Sequence, residues 1–463
     1  MTISRRHFLR NTGAVTLGFT GLHTFVGCGA SSQSVSESGV GYGPLKPDAN
    51  NILDLPEGFS YTIVSRTGDQ MDDGFFVPGT HDGMAAFTGP RNLTILVRNH
   101  EINAGAGPEH GPFGSNNQLL QRLDHSSLYD AGSNGTPCMG GTTTLVYNTN
   151  LQRLESHHLS LTGTLRNCAG GPTPWNTWIT CEETVDRAGD SLSKDHGYNF
   201  EVPVTDQHGL ANPVALEAMG RFNHEAIAVD PASGIIYETE DRGDSLIYRF
   251  IPNTPGQPAD GGKLQALCIL DSPSLDTRNW DSQEVEAGQE LDVYWIDLDD
   301  VTSENDDLRI RGYEHGAARF ARGEGMWYGN GSIYFACTNG GSAKKGQIWK
   351  YTPSAQEGNA SESNAPGRLE LFVEPNDGNL VENGDNLTIA PWGDLIVCED
   401  GSGNQNLVGV TPEGKLYKFG HNSMNNSEFA GATFSPDGST FFVNIQNPGF
   451  TVAITGPWKR EVV

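Results

Sequence analysis

Residues 166–184 read RNCAGGPTPWNTWITCEET. Asn167 and Cys168 run into Gly170-Gly171, a Pro174-Trp175 corner follows, and the apolar run Thr177–Cys181 ends on the acid pair Glu182-Glu183. Two short strand-forming segments around a Pro/Gly/Asn turn read as a β-hairpin. A packed hairpin needs neither a thiol at one end nor two carboxylates at the other.

The same plan recurs along the chain. HDGMAAFTGPRNLTILVRNHE at 81–101, HEAIAVDPASGIIYETED at 224–241, GEGMWYGNGSIYFACTN at 323–339, DNLTIAPWGDLIVCED at 385–400 and FAGATFSPDGSTFFVNIQ at 429–446 each pair a small-residue motif with two apolar strands around a tight turn. A spacing of 14 joins Cys168 to Glu182, Glu324 to Thr338, Asp385 to Glu399 and Ala430 to Asn444. One position before the far end stand Cys181, Cys337, Cys398 and Val443, so that slot reads as a small buried hydrophobe. Self-similarity at this scale signals a ring of stacked units. The expected fold is all-β, a six-bladed β-propeller, with loop insertions at 103–137, 251–290 and 352–367 expected to lie exposed.

In such a ring the first strand of each blade lines the axis, so residues far apart in sequence converge there. His81, Asp82, Cys168, His224, Glu225, Arg322, Glu324 and Asp385 would meet, with Glu101, Glu182 or Glu183, Glu240 and Glu399 from the second strands. Gathered carboxylates resist ionisation unless cations neutralise them. Calcium accepts an all-oxygen shell, whereas a thiolate among carboxylates suits a transition metal, here iron. His224 reads as an orienting neighbour of the site rather than a ligand. No GxSxG elbow and no phosphate-binding P-loop occurs.

Composition frames this reading. The 463 residues include 58 glycines and 25 prolines, which suit many short strands and tight turns. Acids outnumber bases 57 to 29, a net charge of −28 that repels nucleic acid and draws in cations. Nucleic acid is therefore not an expected partner, and a monomer is expected. Residues 4–10, SRRHFLR, resemble a twin-arginine export signal, and Phe25-Val26-Gly27-Cys28 resembles a lipoprotein cleavage box. The expected organisation is a signal peptide at 1–27, a flexible tether at 28–50 with a possible lipid anchor at Cys28, and one catalytic domain at 51–463, placed in the periplasm or membrane-anchored outside the cytoplasm.

Taken together, NHE at 99–101, NCAGGPTPW…TCEE at 167–183, GRFNHEA at 220–226, RGEGM at 322–326, GDNLTIAPWG…CEDG at 384–401 and FSPDG…FVNIQNPG at 434–449 resemble the PhoX-type alkaline phosphatases. The resemblance covers roughly residues 50–460 and implies hydrolysis of phosphate monoesters at an axial cluster of Fe3+ and Ca2+. By matching motif, Cys168 and Glu225 would hold iron and Glu324 would sit between metals. Asp385 with Glu182 or Glu183 would hold calcium, Glu399 would add a further ligand, and Arg322 would grip the substrate phosphate. The chain is shorter than typical members of that family, which bears on substrate range more than on the metals. Two other classes remain open: a calcium-dependent propeller lactonase or phosphotriesterase, which has no use for an iron-holding cysteine, and a non-catalytic binding ring, which does not need acids at its strand mouths.

Overall fold

The computed structural model describes residues 40–459 except 134 and 190. The stretch expected as an export signal and Cys28 lie outside the described residues. The fold is all-β with a propeller-like arrangement. Its strands form four separate sheets, of six, three, four and four strands, and one nine-stranded sheet.

Each repeated hairpin supplies the inner edge of a strand run. The inner strands are His81–Thr88, Asn167–Pro172, His224–Val229, Gly323–Gly329, Gly384–Ile389 and Phe429–Phe434. Each lies beside the next, and the last returns to the first, so they close a ring. They are almost wholly buried, which explains their apolar composition without period-2 alternation.

The expectation of six separate blades is corrected at one point. The runs that start at His224 and at Gly323 are hydrogen-bonded into a single sheet, because the strand Glu290–Asp297 pairs with Gly262–Ile269 on one side and Gly367–Val373 on the other. The insertions are also less exposed than expected. The first buries Phe113, Leu128, Tyr129 and Asp130, the second contributes the strand Gly262–Ile269 and buried Val285, and the third buries Glu357 against Tyr237, Tyr351 and Arg249. Within the stretch expected as a tether, Leu45–Lys46 pairs with Leu53–Pro56, and Tyr42 packs among Phe59, Trp392, Tyr417, Phe419 and Trp458.

Cys181, Cys337 and Cys398 are each fully buried, in three separate apolar clusters. The ring is closed by chain ends: the strand Ser60–Arg66 pairs with Phe450–Thr455 and completes the sheet begun at Phe429.

Candidate functional site

A single backbone device is repeated six times at one mouth of the ring. Every inner strand carries a β-bulge near its start: three residues advance between Asn167 and Gly170 while the partner strand advances two, from Glu182 to Thr180, and the same shift occurs at His81, His224, Gly323, Gly384 and Ala430. A bulge leaves one residue unpaired and re-aims its side chain. The residues after the shift points are Asp82, Cys168, Glu225, Glu324, Asp385 and Gly431.

Two further features fix this geometry. The residue two positions before four of these is left-handed: Thr80, Arg166, Arg322 and Asn383 have φ of 40°, 44°, 54° and 54°. Holding a side-chain-bearing residue there costs about 1–2 kcal/mol, so the surrounding structure must enforce it. A repeated hydrogen bond does so. The N–H groups of Glu101, Glu183, Asp241, Thr338, Asp400 and Gln446 donate to the carbonyls of Thr80, Arg166, Asn223, Arg322, Asn383 and Glu428, at 2.9–3.2 Å. The small residue that follows the site residue is needed because inner strands touch there. A Cβ on Gly83 would sit 2.6 Å from Ala169 Cα, and one on Gly325 would sit 2.7 Å from Asn386 Cα.

The side chains so aimed form one continuous line. Ligand atoms of Cys168, Glu183 and Glu225 lie within 4.8 Å of one another, as do those of Glu225, Glu324 and Asp385, and those of Asp385, Asp400 and Glu428. Glu225 and Asp385 are shared, so three adjacent trios run from a thiol end to an all-oxygen end. Asp82 and Glu101 stand nearby, linked by Gln446 Nε2, which donates to both at 3.1 and 3.0 Å.

Burial and mutual repulsion keep these groups from ionising. Burial first, and neighbouring acids second, raise the carboxyls of Asp82, Glu225, Glu324 and Glu428 well above the ordinary range. Glu183 is pushed up to about 8, mainly by burial, although Arg166 beside it acts in the opposite direction. The Cys168 thiol is raised by burial and then by Glu225 and Glu183, and it donates to the His224 carbonyl at 3.3 Å. A run of acids, buried at Glu225 and Glu324 and opening to solvent at Asp400, with a buried thiol at one end, is the donor set that multivalent cations would stabilise.

Two arginines stand at the mouth, each two residues ahead of a site residue. Arg166 pairs with Glu101 at 3.0 Å and with Glu183. Arg322 gives a two-pronged pair to Asp241, at 2.6 and 2.7 Å, and lies 3.1 Å from Glu324. Its side chain keeps 37% exposure, so it can meet a ligand entering the funnel.

Of the residues expected in the metal set, Cys168, Glu183, Glu225, Glu324 and Asp385 come together here. Glu182 and Glu399 do not, and are corrected. Glu182 is turned away from the axis and accepts from Leu165 N, His196 Nδ1, Gly197 N and Tyr198 N. Glu399 accepts from Glu382 N, Asn406 and Lys418 Nζ. Glu240 behaves likewise, accepting from the Tyr248 hydroxyl. The bulge is the cause: it places Asn167 and Gly384, not Cys168 and Asp385, opposite Glu182 and Glu399. The His224 ring also faces away, 3.1 Å from the Gly220 carbonyl and 3.3 Å from Glu238, and stacks on Phe222. Asp400 and Glu428 were missed. The CEDG motif contained the first, one residue beyond the acid chosen; the second precedes its strand and carries no motif of its own.

Comparison with known proteins follows the geometry. No curated protein matches the sequence. Among solved structures, Pseudomonas fluorescens PhoX in complex with vanadate, a transition state analogue, shares 16% identity at a TM-score of 0.62, over 88% of this chain and 96% of that chain. A gluconolactonase from Xanthomonas campestris matches at a TM-score of 0.34 and 11% identity, over 90% of this chain and 99% of its own. A Bacteroides thetaiotaomicron protein of unknown function matches at 0.40 and 8%, over 86% and 76%. The last two likenesses are too distant to bear on function. The sequence matches the family described as alkaline phosphatase PhoX over residues 40–449, most of its length, and the chain belongs to that family, as a metal-dependent phosphatase.

Proposed function

We propose that the protein is an exported phosphomonoesterase working in the axial funnel, with iron at the Cys168 end and calcium along the carboxylate end. The observation that carries this reading is the line of three trios, which changes from thiol and carboxylate donors to carboxylates alone. Cys168, Glu183 and Glu225 offer the one soft donor and suit ferric iron; Asp385, Asp400 and Glu428 offer only oxygen and suit calcium. Glu225, Glu324 and Asp385 would bridge the two ends.

Phosphoryl transfer spreads negative charge over the equatorial oxygens, so catalysis is chiefly positioning and charge stabilisation. Bound metals would supply that charge and a hydroxide nucleophile at neutral pH. Arg322 is held by its left-handed backbone and by Asp241, leaving part of its guanidinium fork to grip phosphate oxygens. Glu324, beside it, fixes that fork from the metal side. Because the His224 ring turns away from the funnel, it is not the base that activates a nucleophile. The resemblance of residues 4–10 to an export signal and the box at Cys28 support action outside the cytoplasm, tethered by lipid.

Elemental analysis of purified protein, with parallel assays on a phosphate monoester and a lactone, tests the reading. Iron and calcium with phosphatase activity are expected. The iron–thiolate pair should colour the protein, and Cys168→Ser should remove or shift that colour, while Cys181→Ser in the apolar core should leave it. An iron-free, colourless protein that still cleaves phosphate monoesters overturns the iron assignment.

A further inference from the structure

A second set of chemistry-bearing side chains lies off the axis, behind Glu182. Asp130 and Cys138 flank the end of the first insertion, and His196 comes from the loop that follows Glu183. Asp130, His196 and Glu182 have no exposed side-chain area. His196 Nε2 lies 3.2 Å from Asp130 Oδ2 and 3.9 Å from Cys138 Sγ, while Nδ1 lies 2.7 Å from Glu182 Oε1. Donor atoms of Asp130, Cys138 and His196 all fall within 4.8 Å of one another.

The 3.2 Å and 3.9 Å separations from His196 Nε2 bracket the edge of a tetrahedral shell, so a shift of a few tenths of an ångström would bring these donors to bonding positions. Bonds of about 2.0 Å to nitrogen or oxygen and about 2.3 Å to sulfur imply donor-to-donor distances of about 3.3–3.6 Å. The surroundings are those of a supported site. Glu182 takes the Nδ1–H of His196, which turns Nε2 toward the thiol and the carboxylate. Asp130 is itself fixed by the N–H groups of Gly132, Ser193 and Lys194 and by the Ser193 hydroxyl. Leu165 and Leu192 pack against Cys138 and keep water out. The setting differs from that of Cys181, Cys337 and Cys398, which sit among apolar side chains.

We propose that Asp130, Cys138 and His196 form a divalent-metal site of the zinc type, separate from the axial cluster, with Glu182 orienting the imidazole. Binding displaces the thiol proton and the proton shared between His196 Nε2 and Asp130. Two protons leave as two positive charges arrive, so the net charge of the pocket is unchanged. The ion would staple the first insertion and the 193–197 loop to Glu182, and so steady the neighbouring Glu183 in the funnel.

The test uses the full mature protein. Cobalt(II) added to metal-stripped Cys168→Ser protein should give thiolate-to-cobalt absorption that saturates at one equivalent, and a further Cys138→Ser change should abolish it. In the wild type, growth with zinc should leave one zinc per chain that Cys138→Ser lacks, with calcium unchanged. Absence of the thiolate band in Cys168→Ser protein overturns the proposal. Should that variant not fold, the zinc comparison decides alone, and equal zinc in wild type and Cys138→Ser is fatal to it.

Discussion

Glu182 and Glu183 are adjacent in sequence and opposite in circumstance. Glu182 is completely enclosed and receives four donors, one of them the His196 ring. Glu183 meets other acids, Arg166 and the Asn223 amide at 3.3 Å, and its carboxyl is pushed up to about 8, chiefly by burial. Glu399 and Asp400 repeat the contrast. In each pair the first acid belongs to the strand and holds the fold, and the second lies just past it and faces the funnel. One carboxylate is satisfied within the chain; its neighbour is left for something the chain does not supply.

The largest effect is expected where that difference is greatest. Glu225 is shared by two trios, so Glu225→Gln should lower kcat/KM by about 10³-fold or more with loss of bound metal, since groups acting as a unit fail together. In metal-stripped protein the thermal midpoint should hardly change, because the buried Glu225 carboxyl is itself held in its neutral form; near-normal activity and metal content would remove Glu225 from the site. Glu182→Ala should do the reverse. Stranding His196 and three backbone donors should cost about 3–5 kcal/mol in denaturant unfolding, while whatever protein remains folded keeps its axial metals. If Glu182→Ala is as stable as wild type, the division between paired and unpaired acids fails.

Arg322→Ala sharpens the comparison from the cation side. Losing one charge-stabilising donor should lower kcat/KM by about 10²–10³ while metal content persists. A rise in KM alone would mean that Arg322 aids binding but not the chemical step. The smallest effect is a pH dependence confined to metal-stripped protein. Glu183 titrates at about 8 in the fold, above its unfolded value, so the folded state holds the extra proton between those limits. Its contribution to stability is full below the unfolded value and is lost as pH rises through about 8. Melting of stripped protein should therefore weaken from about pH 5 to pH 8, and restored metal should flatten the trend; a stripped protein that gains stability over that range contradicts the raised carboxyls.

Much of this arrangement was legible in the sequence, and the rest was hidden for one physical reason. The repeated plan of small-residue motif, apolar strand and tight turn located all six hairpins, and the shared cysteine slot correctly marked a buried position of the second strands. A spacing of 14 assumes an unbroken ladder, however, and a bulge adds one residue without changing composition. That single residue moved the partner of Glu182 from Cys168 to Asn167 and directed attention to Glu399 in place of Asp400. The strand Glu290–Asp297 begins where the 251–290 insertion ends and was assigned to no hairpin, because its partners are two distant edges that no local pattern names.

The pairing of Ser60–Arg66 with Phe450–Thr455 governs how the chain can be made. Arg66 meets Phe450, so one of the earliest strands waits through nearly the whole of synthesis for its partner. Contacts this remote in sequence carry a high loop-closure cost and slow folding. Gln446, which ties Asp82 to Glu101 across the seam, arrives equally late. A nascent chain stalled before residue 450 would lack the outer strand that pairs with Ser60–Arg66. The seam that Gln446 spans between Asp82 and Glu101 is thus completed only in the last step of assembly.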